Sequence, residues 1–456
     1  MTGFVVHAHV YQPPREDPIS GDGPVEPTAA PHHDWNFRIT DECYRPLAAA
    51  LIWRGNGDPE KAVNLYGLLN FNVGPTLAVW LDRFAPDVMA AMQIGDARSA
   101  ARHGGHGGAI AQPWVHAILP LASDRDRAAM VRWGISDFIR RFNRVPQGMW
   151  LPETAVDIAS LETLAAQGIQ FTILAPHQVS EIDDVVAPAR ILLPSGRSIA
   201  VFVYNGTLAH RVAFGALLKS GAELAEAFGS VAESGLVSIA TDAETFGHHH
   251  KFSEMALALA LDLLGADVTT YGAWLREFPP TQTAQLVNDS SWSCEHGIER
   301  WRSDCGCRAG IGIDPDQAWR GPLRDALTWL VGEVADLTDS RAHEALTNPW
   351  QARDGYVEVL TGAVDSADFI RRHTVLEATS HGAYLWLELH RHMLLAQSSC
   401  AWFFDDADGH EVELSLRHAD LAMIQLLEVT GVSLSAEFSD RLGPRFSARV
   451  PLTMTT

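Results

Sequence analysis

The sequence predicts an α/β fold of mainly parallel strands, followed by a helical region. Three observations carry this. Short, branched apolar runs of strand length recur through the first two thirds of the chain. Amphipathic stretches of helical spacing lie between them. After a Gly- and Pro-rich segment the pattern turns mostly helical.

Phe4 to Val10 reads as a strand that begins almost at the first residue, and Gln170 to Leu174, Ile199 to Tyr204 and Leu236 to Ala240 read as further strands. Helices are expected over Arg127 to Phe142, Ile158 to Gln167 and Phe252 to Leu264, the last two stopped by Gly168 and Gly265 as natural C-caps. The run CGCRAGIGIDPDQAWRGP, Cys305 to Pro322, reads as a connector. Beyond it, Leu323 to Leu337 and Thr374 to Gln397 are the clearest helices. The glycine-rich HGGHGG, His103 to Gly108, lacks the Lys-Ser/Thr ending of a phosphate loop and is expected to let backbones approach closely.

A chain of 456 residues suits a large barrel plus an appended domain. Its 47% hydrophobic and 20% charged residues, with 14 Trp, are those of a folded protein. The formal charge of −22 repels nucleic acid and anionic membrane, so neither is an expected partner, and a neutral polar substrate is easier to accommodate. No stretch reaches the roughly 20 apolar residues of a membrane span. The opening MTGFVVHAHVYQ lacks the basic and apolar regions of a signal peptide. Five scattered cysteines, an odd number, fit reduced thiols. A cytoplasmic location is therefore expected.

In a barrel of parallel strands, reactive side chains sit where the strands end. His7 and His9 share one side of the first strand, because strand side chains alternate. Leu236 to Ala240 runs directly into TDAETFGHHH, which puts Asp242 and Glu244 at a strand end. GMWLPET places Glu153 just after Trp150. Singly these are weak signals: Glu153 suits a helix N-terminus, Asp242 a cap, and the histidines a satisfied core. Together they supply what retaining glycoside chemistry needs. One carboxylate attacks the anomeric carbon while another, about 5–5.5 Å away, protonates the leaving oxygen. Trp150 and Trp292 offer faces for sugar rings.

At these residues the chain closely resembles glycoside hydrolase family 57, the α-glucan-active amylases, glucanotransferases and branching enzymes. It is most similar to a bacterial subgroup with an HxHxYQPPRE strand end. HAHVYQPPRED, GMWLPETAVD, TDAETFGHHH and SWSCEHGIERW match four ordered family motifs. The resemblance implies an incomplete (β/α)7 barrel over residues 1–304 and a helical domain over 305–456 that helps build the cleft. It implies a retaining mechanism on α-glucosidic bonds, with Glu153 as nucleophile and Asp242 as acid/base. The substrate contacts expected are His7, His9, Trp35, Trp150, Glu244, Trp292, His296, Trp402 and Asp405, the last two through the subgroup's SSCAWFFDD. No cofactor and no metal are expected. One departure is the run GGHGGAIAQPWVHAILPL, where Gly and His replace the family's usual Glu while His116 keeps the histidine.

Two rival functions remain open to the sequence. His7, His9, Asp242 and His248 to His250 could form the zinc site of a deacetylase or an α-mannosidase-like enzyme on a related barrel. A non-catalytic glycan-binding protein is the other, although both carboxylates are present. Cys294, His296, Cys305 and Cys307 form C-x-H…C-x-C rather than the usual CxxC pairs of a zinc site, and read as free thiols.

Overall fold

The computed structural model describes residues 1–54, 57–231, 234–310, 314–376, 378–449 and 451–452. The chain forms two compact units. The first comprises Met1–Pro13, Pro24–Gln112 and Arg141–Asn288; the second comprises Pro14–Gly23, Pro113–Arg140 and Asp289–Thr456. This division is finer than a single boundary at 304/305, because two earlier stretches pack with the C-terminal part.

The first unit is an α/β domain. Its central strand is β1, Thr2–Val10, flanked in parallel by β2, Asn70–Val73, and by β5, Gly235–Asp242. After its first residue β1 is buried throughout, as expected of a parallel strand covered on both faces. Parallel bridges continue from this sheet, joining Phe71 to Ala109, Ala111 to Met149, and Gly148 to Phe171. Phe171 opens β3, Phe171–Leu174, which pairs in parallel with β4, Ser198–Val203. Just past β4, the Asn205 amide donates to the Ser238 carbonyl of β5 at 2.7 Å.

Each expected strand is present, and β5 runs two residues further than expected, carrying Asp242 inside its last turn of pairing. Gly108 confirms the close-approach reading of HGGHGG. A Cβ there would stand 2.2 Å from the Leu69 carbonyl oxygen, and the Gly108 carbonyl accepts from the Phe71 amide at 3.0 Å. Helices Ile158–Ala166 and Ser253–Leu264 follow the expected spacing. Asp157 caps the first by accepting from the Ser160 amide at 2.7 Å.

The second unit is helical. Its long elements are Arg320–Arg341, Ser380–Leu395 and His410–Thr430, with Asp124–Phe142 contributing most of its length. The helix expected from Thr374 begins instead at Ser380, because the Thr379 hydroxyl caps it by accepting from the Gly382 amide at 3.1 Å. Residue 377 of that stretch, and residues 311–313 of the expected connector, lie outside the described residues. Among the described residues no helix is long and apolar enough to cross a membrane.

Candidate active site

Parallel register builds the site. Asn72 of β2, His9 of β1 and Asp242 of β5 occupy one row across the three strands, at or next to their carboxyl ends. Asn70, His7 and Ala240 form the row beneath. Side chains of one row share a face, so the two imidazoles, the two amides and Asp242 all project to the same side.

Asn72 fixes both histidines. With its amide oriented by the network, its Oδ1 accepts from His7 Nε2 at 3.0 Å, and its Nδ2 donates to His9 Nδ1 at 2.9 Å and to Gln112 Oε1 at 2.6 Å. That network leaves His9 carrying its proton on Nε2. Trp150 lies beneath, stacked on His7 at 4.8 Å and on His9 at 5.2 Å between centroids, and Tyr11 stacks on His9 at 5.8 Å. Burial lowers the His7 pKa to about 3, against the raising effect of its Asn72 hydrogen bond. Burial likewise lowers His9 to about 4. Both rings are therefore neutral hydrogen-bonding groups at neutral pH.

Three carboxylates interact here. The Asp242 pKa is raised well above the usual range, first by burial and then by the charges of Glu244 and Glu153. Glu244 is buried and pushed up to about 7 by that burial, while hydrogen bonds from Tyr44 and Gln12 pull the other way. The Gln12 amide donates to Glu244 Oε1 at 3.1 Å, and the Tyr44 hydroxyl donates to the same oxygen. Tyr204 stands close enough to Asp242 that burial and that charge push its phenol up to about 12.

Glu153 sits in a short 3₁₀ turn, Pro152–Thr154, with φ 58° and ψ 17°. Thr154 follows at φ 48°. Two successive left-handed non-glycine residues cost on the order of 1–3 kcal/mol each, and such strain is concentrated at functional sites. The turn is held from below, where the Gln178 side chain donates to the Thr154 carbonyl at 2.7 Å.

The remaining expected residues divide. Trp35 is half-buried at the start of helix Trp35–Ile39, with its ring edge-on to His248 at 5.7 Å and the Arg38 guanidinium 4.8 Å above it. His7 and Trp150 are wholly buried, so neither offers surface to a ligand. They support His9, which corrects their expected direct contact. In the second unit, Trp292 is half-buried and His296 exposed. Trp402 is wholly buried, its indole donating to the Arg320 carbonyl at 3.1 Å and its ring covered by the Arg324 guanidinium at 3.8 Å. Asp405 is equally buried, accepting from the Gly310 amide at 2.8 Å and facing Arg320 at 3.4 Å. Both pack the helical unit rather than presenting groups to a sugar.

Asn72, Gln112, Gln12, Tyr44 and Tyr204 escaped sequence reasoning. Only the alternation in NFNV, which puts two amides on one side of a strand, could have signalled Asn72. Among the described residues, His7, His9, Asp242 and the three histidines 248–250 do not come together as a metal-ligand cluster. His248 pairs with Glu42 at 2.5 Å, and His250 Nε2 donates to the Ala213 carbonyl at 2.8 Å.

No curated protein matches the chain. Solved structures do. An exo-type maltose-forming amylase from Pyrococcus sp. ST04 is 16% identical with a TM-score of 0.74, over 97% of this chain and 81% of that one. A branching enzyme from Thermococcus kodakaraensis is 15% identical with a TM-score of 0.61, over 99% of this chain and 98% of that one. A 4-alpha-glucanotransferase from Thermococcus litoralis is 15% identical with a TM-score of 0.55, over 94% of this chain and 60% of that one. At such identities the likeness concerns the fold. Residues 316–449 match a domain of unknown function, DUF3536. Residues 33–273, more than half of the chain, match the family described as glycosyl hydrolase family 57, and the chain is therefore a carbohydrate-active enzyme belonging to glycosyl hydrolase family 57.

Proposed function

We propose that the chain cleaves or transfers α-glucosidic bonds of an α-glucan or maltooligosaccharide through a covalent glycosyl-enzyme intermediate. Glu153 is the nucleophile and Asp242 the acid/base. The observation that carries this reading is the electrostatic coupling of Asp242 to Glu153 and Glu244. A general acid must hold its proton at neutral pH, and a neighbouring negative charge is how a carboxyl is kept protonated there. The strained turn at Glu153 supports its assignment as the attacking group, since such strain is concentrated at functional sites and the turn sets where this side chain leaves the backbone.

In this scheme Glu153 attacks the anomeric carbon while Asp242 gives its proton to the departing oxygen. Asp242, now a carboxylate, then deprotonates the water or sugar hydroxyl that releases the glycosyl group. Neutral His9, held by Asn72 between Tyr11 and Trp150, donates from Nε2 to a sugar hydroxyl. Glu244, Trp35 and Trp292 are further candidates for substrate contacts. The run of parallel pairings from β1 through β4, with the Asn205–Ser238 hydrogen bond between its two ends, supports an incomplete (β/α)7 barrel as the scaffold. Cysteines in the reduced state support a cytoplasmic setting.

The glycans named for the similar solved structures, a maltose-forming amylase and a branching enzyme, favour an α-glucan. Purified protein incubated with maltoheptaose tests the proposal. Shorter sugars alone mean hydrolysis, longer ones mean transfer, and neither would leave the α-glucan assignment without support.

A further inference from the structure

The second unit gathers three of the five cysteines and a histidine into one cluster. We propose that Cys294, His296, Cys305 and Cys307 are the four ligands of a structural zinc ion. The C-x-H…C-x-C spacing reads in the sequence as free thiols, but the fold brings one ligand atom of each residue within 4.8 Å of all the others.

Three of the six separations match the edges of a coordination tetrahedron, and all six lie within 4.8 Å. Bonds of about 2.3 Å to sulfur and 2.0–2.1 Å to nitrogen require S···S edges of about 3.8 Å and S···N edges of about 3.5 Å. Cys294 Sγ lies 3.8 Å from Cys305 Sγ and 3.7 Å from Cys307 Sγ, and Cys307 Sγ lies 3.5 Å from His296 Nδ1. A disulfide needs a separation near 2.0 Å, and three thiols would in any case leave one unmatched. Three soft thiolates and an imidazole gathered this closely select zinc among the common divalent ions.

The backbone is shaped for this. Gly306, between the two cysteines of C-G-C, has φ +80°, a conformation that lets both thiols turn to one side. Zinc with three thiolates and a neutral imidazole carries one net negative charge. Two cations support the loops that hold it: wholly buried Arg320 donates to the Cys307 carbonyl at 3.0 Å, and Arg300 donates to the Ser293 carbonyl at 3.1 Å. Arg320 also opens helix Arg320–Arg341, so the site ties two loops to the start of the unit's longest helix. Four protein ligands leave no open position, which makes the role structural rather than catalytic. In this assignment His296 binds metal and not sugar, and the inference stands apart from the carbohydrate chemistry.

The test is metal analysis of untagged full-length protein produced in zinc-supplemented medium and dialysed. The expected content is about one zinc per chain. Cobalt-substituted protein should show thiolate-to-cobalt charge transfer and tetrahedral d–d bands. The double variant Cys305→Ser/Cys307→Ser should lose at least about nine tenths of the metal, while His296→Cys, still a four-ligand set, retains it. Negligible metal in the wild type, an octahedral cobalt spectrum, or a double variant that keeps its zinc would overturn the proposal, and iron in place of zinc would overturn the choice of ion. Should the double variant fail to fold, the wild-type metal content and cobalt spectrum decide the matter alone.

Discussion

His9 and Asp242 stand directly opposite one another on adjacent parallel strands, in register at the end of the pairing between β1 and β5. A neutral donor and a proton-holding carboxyl are thus fixed side by side by backbone hydrogen bonds rather than by loop packing. The site's precision comes from the sheet, and its chemistry from the charges placed around Asp242.

Loss of either carboxylate should be severe and local. Glu153→Gln and Asp242→Asn are each expected to lower kcat/KM on an α-glucan by about 10³-fold or more, while Tm stays within about 3 °C of the parent. Steady-state kinetics beside thermal unfolding would check this. Substantial turnover by Glu153→Gln would remove it as the nucleophile.

The alkaline limb of activity reports on Glu244. In the proposed scheme Asp242 donates a proton, so activity should fall as pH rises through its pKa, which burial and then the charges of Glu244 and Glu153 hold high. Glu244→Gln deletes one negative neighbour and lowers that pKa. The alkaline limb of kcat should therefore move to lower pH, and an unmoved limb would mean that Asp242 does not sense Glu244.

Stability should respond to acid through the histidines. His7 and His9 have folded pKa values of about 3 and about 4, below the usual 6.5. Their contribution is present above pH 6.5 and is lost as pH falls toward those folded values. Glu244 acts in the opposite sense: raised from 4.5 to about 7, it contributes fully below pH 4.5 and loses its contribution as pH rises through 7. Tm should drop from pH 6.5 toward pH 4, and His9→Gln should flatten that drop. A parallel pH dependence in parent and variant would contradict the burial of a neutral His9.

Trp402 separates packing from binding. Wholly buried and hydrogen-bonded, it should cost about 1–3 kcal/mol on replacement by Phe and leave KM unchanged. Denaturant unfolding and kinetics distinguish the two effects, and a raised KM at unchanged stability would restore a role in sugar contact.

The strands that carry the site were legible because each is short, apolar and branched, and because polar residues break the pattern where the strands end. His7, His9 and Asp242 announced themselves in that way. Asn72, Gln112 and Tyr44 did not, since an amide or a phenol acquires its role only from register and from contacts far along the chain. The proximity of the Cys294 cluster is hidden in the sequence for a related reason. C-x-H and C-x-C are unusual spacings, and nothing local says that the two loops fold back onto each other. The resemblance implies sugar contacts at Trp402 and Asp405, but the motif does not show the long-range packing against Arg320 and Arg324 that buries them.

The account turns on Glu153 becoming covalently glycosylated. A slow fluorinated glucosyl donor, incubated with the enzyme and followed by mass spectrometry of the digested protein, measures this directly. One glycosyl unit on the peptide containing Glu153, absent in Glu153→Gln, is the expected result. Turnover of the donor with no adduct, or an adduct mapped to Glu244 or another residue, would contradict it.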